Sequence, residues 1–411
     1  MVNAQRLKQN LEEISKFGAL EGGGLTRLAF SKEEEMAKKY LINLAKNAGL
    51  EVQVDGIGNI FATLKGGDSN LPPVATGSHL DSVKEGGFYD GPLGVICSLE
   101  ALQTIKEKQI PHLRDITLVV FSCEESSRFN HATVGSKAIT KKLNLSNLKE
   151  IKDKSGISIY QAAKSCGYDI DNLENQTLKD NQIYAFLELH IEQGPVLEAK
   201  QIPVGIVTGI ASPIRYELTL NGRADHSGAT PMSMRKDALV CASEIIIAIE
   251  KCAKAYKTAV GTVGFVEATP GVLNVIPGSA RLGIDLRDIC KDDLIALDKD
   301  VTNAIKQICS NKDISYELKE LSRSFPVKLS EKIIKTLENE ALNLGIKTLN
   351  LPSGAGHDTM NLDCAASHIG MIFIPCKDGI SHNVKESIKI EDSVLGANLL
   401  TKTIITLSNE V

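Results

Sequence analysis

The sequence predicts an α/β fold in which a mixed sheet flanked by helices is interrupted by an inserted, ferredoxin-like α+β domain. Three observations predict it. Three apolar, strand-like runs each end in a cluster of acidic or imidazole groups, the placement expected at the carboxyl edge of an open α/β sheet. Near Ala211-Ser212-Pro213 the pattern changes to apolar alternation, and the segments that follow run β-α-β-β-α-β. After Phe325-Pro326 the α/β character returns. At 411 residues the chain also exceeds one ordinary core. The expected division is therefore residues 1–212 with 327–411 as the large domain and 213–326 as the inserted one.

Residues 5–17 and 31–48 read as helices. Ser31-Lys32-Glu33-Glu34 has capping-box form, and Gly49 is a natural stop. Strands are expected at 51–55 and 59–64, with Gly56 and Gly58 at the turn. Pro73-Val74-Ala75 reads as the end of a buried strand, from which Thr76-Gly77-Ser78-His79-Leu80-Asp81 emerges. In an extended segment residues two apart share a side, so the Asp81 carboxylate is expected behind His79, on its second ring N–H. Pro92 to about Lys108 reads as a helix on the sheet. Ile116–Phe121 is the next buried strand and ends in Ser122-Cys123-Glu124-Glu125. Ile183–Leu189 is a third, ending in His190-Ile191-Glu192-Gln193-Gly194.

In the inserted segment, residues 214–221 alternate as a half-exposed strand does. A loop, Gly222 to Met232, leads to a helix at about 234–255, strands near 260–267 and 279–287, a helix near 291–309 and a strand near 314–321. Beyond it come a helix at 330–343, strands near 346–350 and 369–374, and a last helix from about Glu391.

Composition narrows the function. The chain is 43% hydrophobic and 24% charged, with a net charge of -5, so nucleic acid is not an expected partner. No apolar run reaches membrane-spanning length, and the N-terminus lacks the apolar core of a signal peptide. Nine cysteines are scattered without a C-x-x-C pair. That argues for reduced thiols and a cytoplasmic location, and for any metal being held by imidazole and carboxylate.

The candidate ligands are His79, Asp90, Glu125, His190 and His382. Three imidazoles and two carboxylates suit zinc, or manganese, cobalt or nickel. Five ligands exceed the needs of one catalytic zinc but fit two divalent ions if a carboxylate bridges, and Asp90 in its glycine-bounded loop is the candidate bridge. Two ions roughly 3.5–4 Å apart share a water-derived nucleophile and polarise a carbonyl. Glu124, beside Glu125, is the expected general base. A single His is more often structural, and His112, His131 and His368 are read that way.

These motifs, with Asp90-Gly91-Pro92-Leu93-Gly94, Glu188-Leu189-His190-Ile191-Glu192-Gln193-Gly194, His226-Ser227-Gly228-Ala229-Thr230-Pro231-Met232 and Ser353-Gly354-Ala355-Gly356-His357-Asp358, resemble the amidase/hydantoinase/carbamoylase family. This is a branch of the dinuclear-zinc aminoacylase and carboxypeptidase superfamily, and the resemblance runs nearly end to end. It implies a zinc-aminopeptidase-like catalytic domain and an inserted domain serving as lid and dimerisation surface of a homodimer. It implies metal ligation by His79, bridging Asp90, Glu125, His190 and His382, support by Asp81, and catalysis by Glu124. His226 would stabilise the oxyanion, in its own or the partner's site. Gln193, Asn274, Arg287 and Gly356 would hold the substrate.

Taken without the family, His226 reads as a plain loop residue, Arg287 as an ion pair with Asp285 or Asp288, and Asn274 as a turn cap. Ser126 and the Ala224-Asp225 pair depart from the usual family pattern without removing a functional atom. The resemblance implies hydrolysis of the carbamoyl C–N bond of an N-carbamoyl-L-amino acid, a small substrate with a carboxylate. Allantoate amidohydrolase is the alternative, followed by β-ureidopropionase, dipeptidase or aminoacylase. A non-catalytic binding protein on the same fold would have lost ligands or base, and none is missing.

Overall fold

The computed structural model describes residues 1–410. The chain divides into two compact units, one formed by Met1–Thr208, Leu329–Leu351 and the stretch from His357, the other by Gly209–Lys328 with Pro352–Gly356. The sequence placed these junctions at 212/213 and 326/327 and put all of 352–356 in the large domain. Pro352–Gly356 groups with the small unit because Ala211 N donates to the Ser353 carbonyl at 2.8 Å and Arg287 Nη1 to the Gly354 carbonyl at 2.8 Å.

The large unit is built on strands β1 (Glu51–Val54), β2 (Ile60–Leu64), β3 (Val74–His79), β4 (Ile116–Phe121), β5 (Ile183–Ile191) and β6 (Val204–Ile210). Strands β3, β4 and β5 pair in parallel. They are buried along almost their whole length, as parallel strands in a sheet covered on both faces are, although only β4 is nearly apolar throughout. Helix Pro92–Glu107, with proline in its first turn and thirteen buried residues, is one such cover. The expected helices at the N-terminus form as Ala4–Ser15 and Lys32–Asn47. Ser31 caps the second by accepting from Glu34 N at 3.2 Å. The capping box is half made, since the Glu34 carboxylate turns to Phe30 N and to Lys38 instead. Between β4 and β5 lie three short helices, Val134–Ile139, Leu145–Glu150 and Ile159–Ser165, which were not expected from the sequence.

The small unit holds β7 (Ser212–Asn221), β8 (Asp225–His226), β9 (Val260–Thr269), β10 (Val275–Ile276), β11 (Ser279–Asp288), β12 (Ser315–Arg323) and β13 (Val327–Lys328). Four of them make an antiparallel sheet in the order β12-β7-β11-β9. Helices Ala238–Lys254 and Lys291–Asn311 pack on it through Ile245, Ile249, Leu297 and Val301. This is the ferredoxin-like order.

The chain then returns through β14 (Thr348–Ser353) and β15 (Ala366–Ile374). Strand β15 pairs in parallel with β5 from Ala366↔Ile183 to Ile374↔Ile191, so the large sheet closes around strands some 180 residues apart in sequence. Helix Ile390–Ser408 ends the unit. Among the described residues, no helix is long and apolar enough to cross a membrane.

Candidate metal centre and active site

The ends of β3, β4 and β5, the start of helix Pro92–Glu107 and the loop after β15 meet at one place. His79 ends β3, His190 lies one residue before the end of β5, and Asp90 precedes the helix. Gly91 (φ +85°) makes the junction possible, since a Cβ there would lie 2.4 Å from the His79 ring. His79, Asp90 and His190 form one group of possible metal ligands and Asp90, Glu125 and His382 another.

Asp90 belongs to both. Its Oδ1 lies 3.2 Å from His190 Nε2 and 3.7 Å from His79 Nε2. Its Oδ2 lies 3.2 Å from His382 Nε2, which is 3.3 Å from Glu125 Oε1. A third group, Glu188 with His190 and His357, lies beneath. There the carboxylate is already engaged by Ser78 Oγ at 2.8 Å and Thr359 Oγ1 at 2.6 Å.

Asp81 is placed differently from expectation. His79 Nδ1 meets the Asp81 backbone carbonyl at 3.0 Å, while the carboxylate stands 3.8 Å away. That carboxylate accepts the backbone N–H groups of Glu124 (3.1 Å) and Glu125 (2.9 Å). The reason is the turn after β4, where Cys123 takes a left-handed conformation (φ +55°) and leaves two buried N–H groups without a ladder partner. Glu124 Oε2 reaches to 3.8 Å from His79 Nε2 and belongs to neither ligand group.

The electrostatics are those of a site short of positive charge. Burial, then Glu125, Asp358, Asp81 and Asp90, push Glu124 well above the carboxylate range. Burial and then Asp90 push Glu125 up to about 8. Burial lowers His79 to about 4. Against burial, the contact with Asp90 raises His190 to about 9, and the same carboxylate raises His382 to about 9. Among the described residues no Lys or Arg pairs with Asp90, Glu124 or Glu125. Glu125 Oε1 is buried and accepts no hydrogen bond. A nitrogen-and-oxygen donor set with an orphaned carboxylate oxygen fits divalent cations.

Gln193, also left-handed (φ +56°), donates to Asp90 Oδ2 at 2.7 Å and so sits at this centre. His226, Asn274, Arg287 and Gly356 belong to the small unit. His226 is exposed, and its Nδ1 accepts from the N–H groups of Gly228 and Ala229, each at 3.1 Å. The ring proton therefore resides on Nε2. Asn274 is exposed, and its carbonyl accepts from Ser227 N at 3.1 Å, which ties it to the His226 loop. Arg287 is bidentate on Asp285 (2.8 and 3.1 Å) and borders a hollow of about 580 Å³ with Arg215, Phe265 and Gly354. The ion pair that its surroundings suggested is made.

Two residues escaped the sequence reading. Glu386 accepts from Tyr89 N (2.8 Å) and Asp90 N (3.1 Å), and Ser381 Oγ lies 2.6 Å from Asp90 Oδ2. Both sit in a polar loop whose exposed neighbours, Asn383 and Lys385, give no sign of burial.

Residues 75–406 match peptidase family M20/M25/M40. The chain is 39% identical over 408 residues to the N-carbamoyl-L-amino acid amidohydrolase of Geobacillus stearothermophilus, covering 99% of each chain. This chain is an amidohydrolase of the M20/M25/M40 peptidase family, in its hydantoinase/carbamoylase branch. Two further relatives of this amidohydrolase carry other names. The ureidoglycolate hydrolase of Arabidopsis thaliana is 35% identical, covering 99% of this chain and 87% of that one. The allantoate amidohydrolase of Escherichia coli is 34% identical, covering 98% of each. The crystal structure of a hydantoinase/carbamoylase family amidase from Burkholderia multivorans superposes with a TM-score of 0.93 at 32% identity, covering 100% of this chain and 98% of that one.

Proposed function

We propose that this amidohydrolase cleaves the carbamoyl C–N bond of an N-carbamoyl-L-amino acid, consuming one water and yielding the amino acid, carbon dioxide and ammonia. Asp90, whose two oxygens face two separate ligand groups, carries the two-ion hydrolytic part of this reading, and the relatives named N-carbamoyl-L-amino-acid amidohydrolase support the substrate. In this reading His79, Asp90 and His190 hold one divalent ion, and Asp90, Glu125 and His382 the other, as zinc, manganese, cobalt or nickel. When bound, such a pair supplies Lewis acidity to the carbonyl and lowers the pKa of a water.

The protein's own groups do the rest. Glu124, anchored through its backbone by Asp81, takes the proton of the attacking water and passes it to the leaving nitrogen. His226, with its proton on Nε2, donates to the oxygen on which negative charge develops. Arg287 keeps donor capacity beyond its Asp285 pair and takes the substrate carboxylate, with Gln193, Asn274 and Gly356 completing its recognition. The small unit acts as lid and as the pairing surface of a homodimer. Exposed Leu239, Val240 and Ile247 on its helix, and the edge strand β9, support the pairing. Nine unpaired cysteines support a cytoplasmic setting.

Allantoate remains the second reading, favoured by the relative so named, and a relative named ureidoglycolate hydrolase adds ureidoglycolate beside it. Ammonia release from N-carbamoyl-L-methionine, N-carbamoyl-β-alanine, allantoate and ureidoglycolate, measured side by side on metal-loaded protein, decides. Turnover of the first well above the others is expected. Preference for allantoate or ureidoglycolate would replace the substrate and keep the site, and silence on all four would remove the carbamoyl reading.

A further inference from the structure

The two ligand groups around Asp90 are not held alike. His79 and His190 are buried and ride on β3 and β5 in the interior of the sheet. His382 sits in the loop after β15, its side chain 49% exposed and its backbone left-handed (φ +54°). A non-glycine residue in that conformation needs its surroundings to hold it.

Glu386 is what ties this loop to Asp90. Its side chain is buried, and one oxygen receives the N–H groups of Tyr89 and Asp90, residues almost three hundred positions away in sequence. Its other oxygen lies 3.2 Å from Ser381 Oγ, which is 2.6 Å from Asp90 Oδ2, so the single hydroxyl proton goes to Asp90. The loop bearing His382 is thus fastened to Asp90 at two points, through its main chain and through the oxygen that faces His382. Room for the carboxylate comes from a missing side chain, since a Cβ at Gly87 would lie 2.1 Å from Glu386 Cδ.

We propose that Glu386 is a positioning residue that sets the affinity of the Asp90–Glu125–His382 ion site while leaving the His79–Asp90–His190 site nearly untouched. The proposal rests on the dinuclear reading given above. Glu386 belongs to none of the groups of possible metal ligands. It fixes the angle at which Asp90 and His382 face one another, and donors misplaced by a fraction of an ångström lose a cation.

The test is titration of the full-length apoprotein with zinc or manganese, read by calorimetry and by native mass spectrometry. Wild type is expected to take up two ions. Glu386→Ala is expected to bind the first as wild type does and the second roughly 10–100-fold more weakly. Glu386→Gln keeps the chain length and one acceptor oxygen, and its amide N–H faces Ser381 Oγ, so it restores the second ion. Gly87→Ala crowds Glu386 without altering it and reproduces the loss in a second way.

If Glu386→Ala folds and binds both ions as wild type does, the role is wrong. Should that variant not fold, Gly87→Ala decides, because two tight ions there overturn the proposal and selective loss of one upholds it. An equal loss at both sites in either variant also overturns it. A wild-type protein that takes up no second ion overturns the dinuclear reading itself, and the clamp with it.

Discussion

Asp81 uses different atoms for different partners, its carbonyl for the His79 imidazole and its carboxylate for the N–H groups of Glu124 and Glu125. The sequence showed an acid two residues past a histidine and suggested one contact. Residue spacing cannot show that a carbonyl already occupies the ring nitrogen, nor that a left-handed Cys123 leaves two N–H groups unfilled nearby. Glu124 itself is fixed at its backbone and stands outside both ligand groups. Glu124→Gln is accordingly expected to keep the metal content of wild type, measured by elemental analysis, while turnover falls roughly 10²–10⁴-fold. Loss of metal instead would make Glu124 a ligand. Arg287→Ala leaves Asp285 its second partner, Arg215, at 2.8 Å, so the fold should persist. KM for a carboxylate substrate is expected to rise roughly 10–100-fold with kcat little changed. An unchanged KM would leave Arg287 as an ion pair alone.

Strand β4, and β5 up to Leu189, were legible because strands buried on both faces read as apolar runs bounded by polar clusters. The first strand was expected to end at Ala75, but β3 runs from Val74 to His79, its Thr76, Ser78 and His79 buried and polar and so hidden from an apolar pattern. The small unit was legible for the opposite reason, since β7 and β11 alternate. The helices between β4 and β5 were not, being six or seven residues long, too short for a 3.6-residue period to repeat.

Helix Lys32–Asn47 holds a feature that amphipathic patterning hides, the fully buried Lys38. Its ammonium pairs with Glu34 at 3.1 Å and donates to Ser122 Oγ at 2.8 Å, directly before the Cys123–Glu125 turn. Lys38→Met would strand the Glu34 charge in the interior. The expected cost is about 3–5 kcal/mol, read from denaturant unfolding. A loss under about 1 kcal/mol would mean that water reaches the pair.

For the whole molecule, the exposed apolar side chains on helix Ala238–Lys254 carry the expectation of pairing. Ile247 is 66% exposed and would lose that exposure in a dimer formed through this helix. Wild type should therefore scatter light as a dimer and Ile247→Glu as a monomer. A monomeric wild type would dismiss the pairing surface.

The pairing of β5 with β15 fixes an order of events during synthesis. The small unit's sheet and helices are encoded without interruption between Ser212 and Arg323, so they can fold as soon as the ribosome releases them. The large sheet must wait with β5 unpaired on one side until Ala366–Ile374 emerges. His382 and Glu386 arrive later still. Contacts between such distant segments close slowly, so a nascent chain cut short before Ala366 would carry a finished small unit beside an open sheet edge, the kind of edge that recruits neighbouring chains.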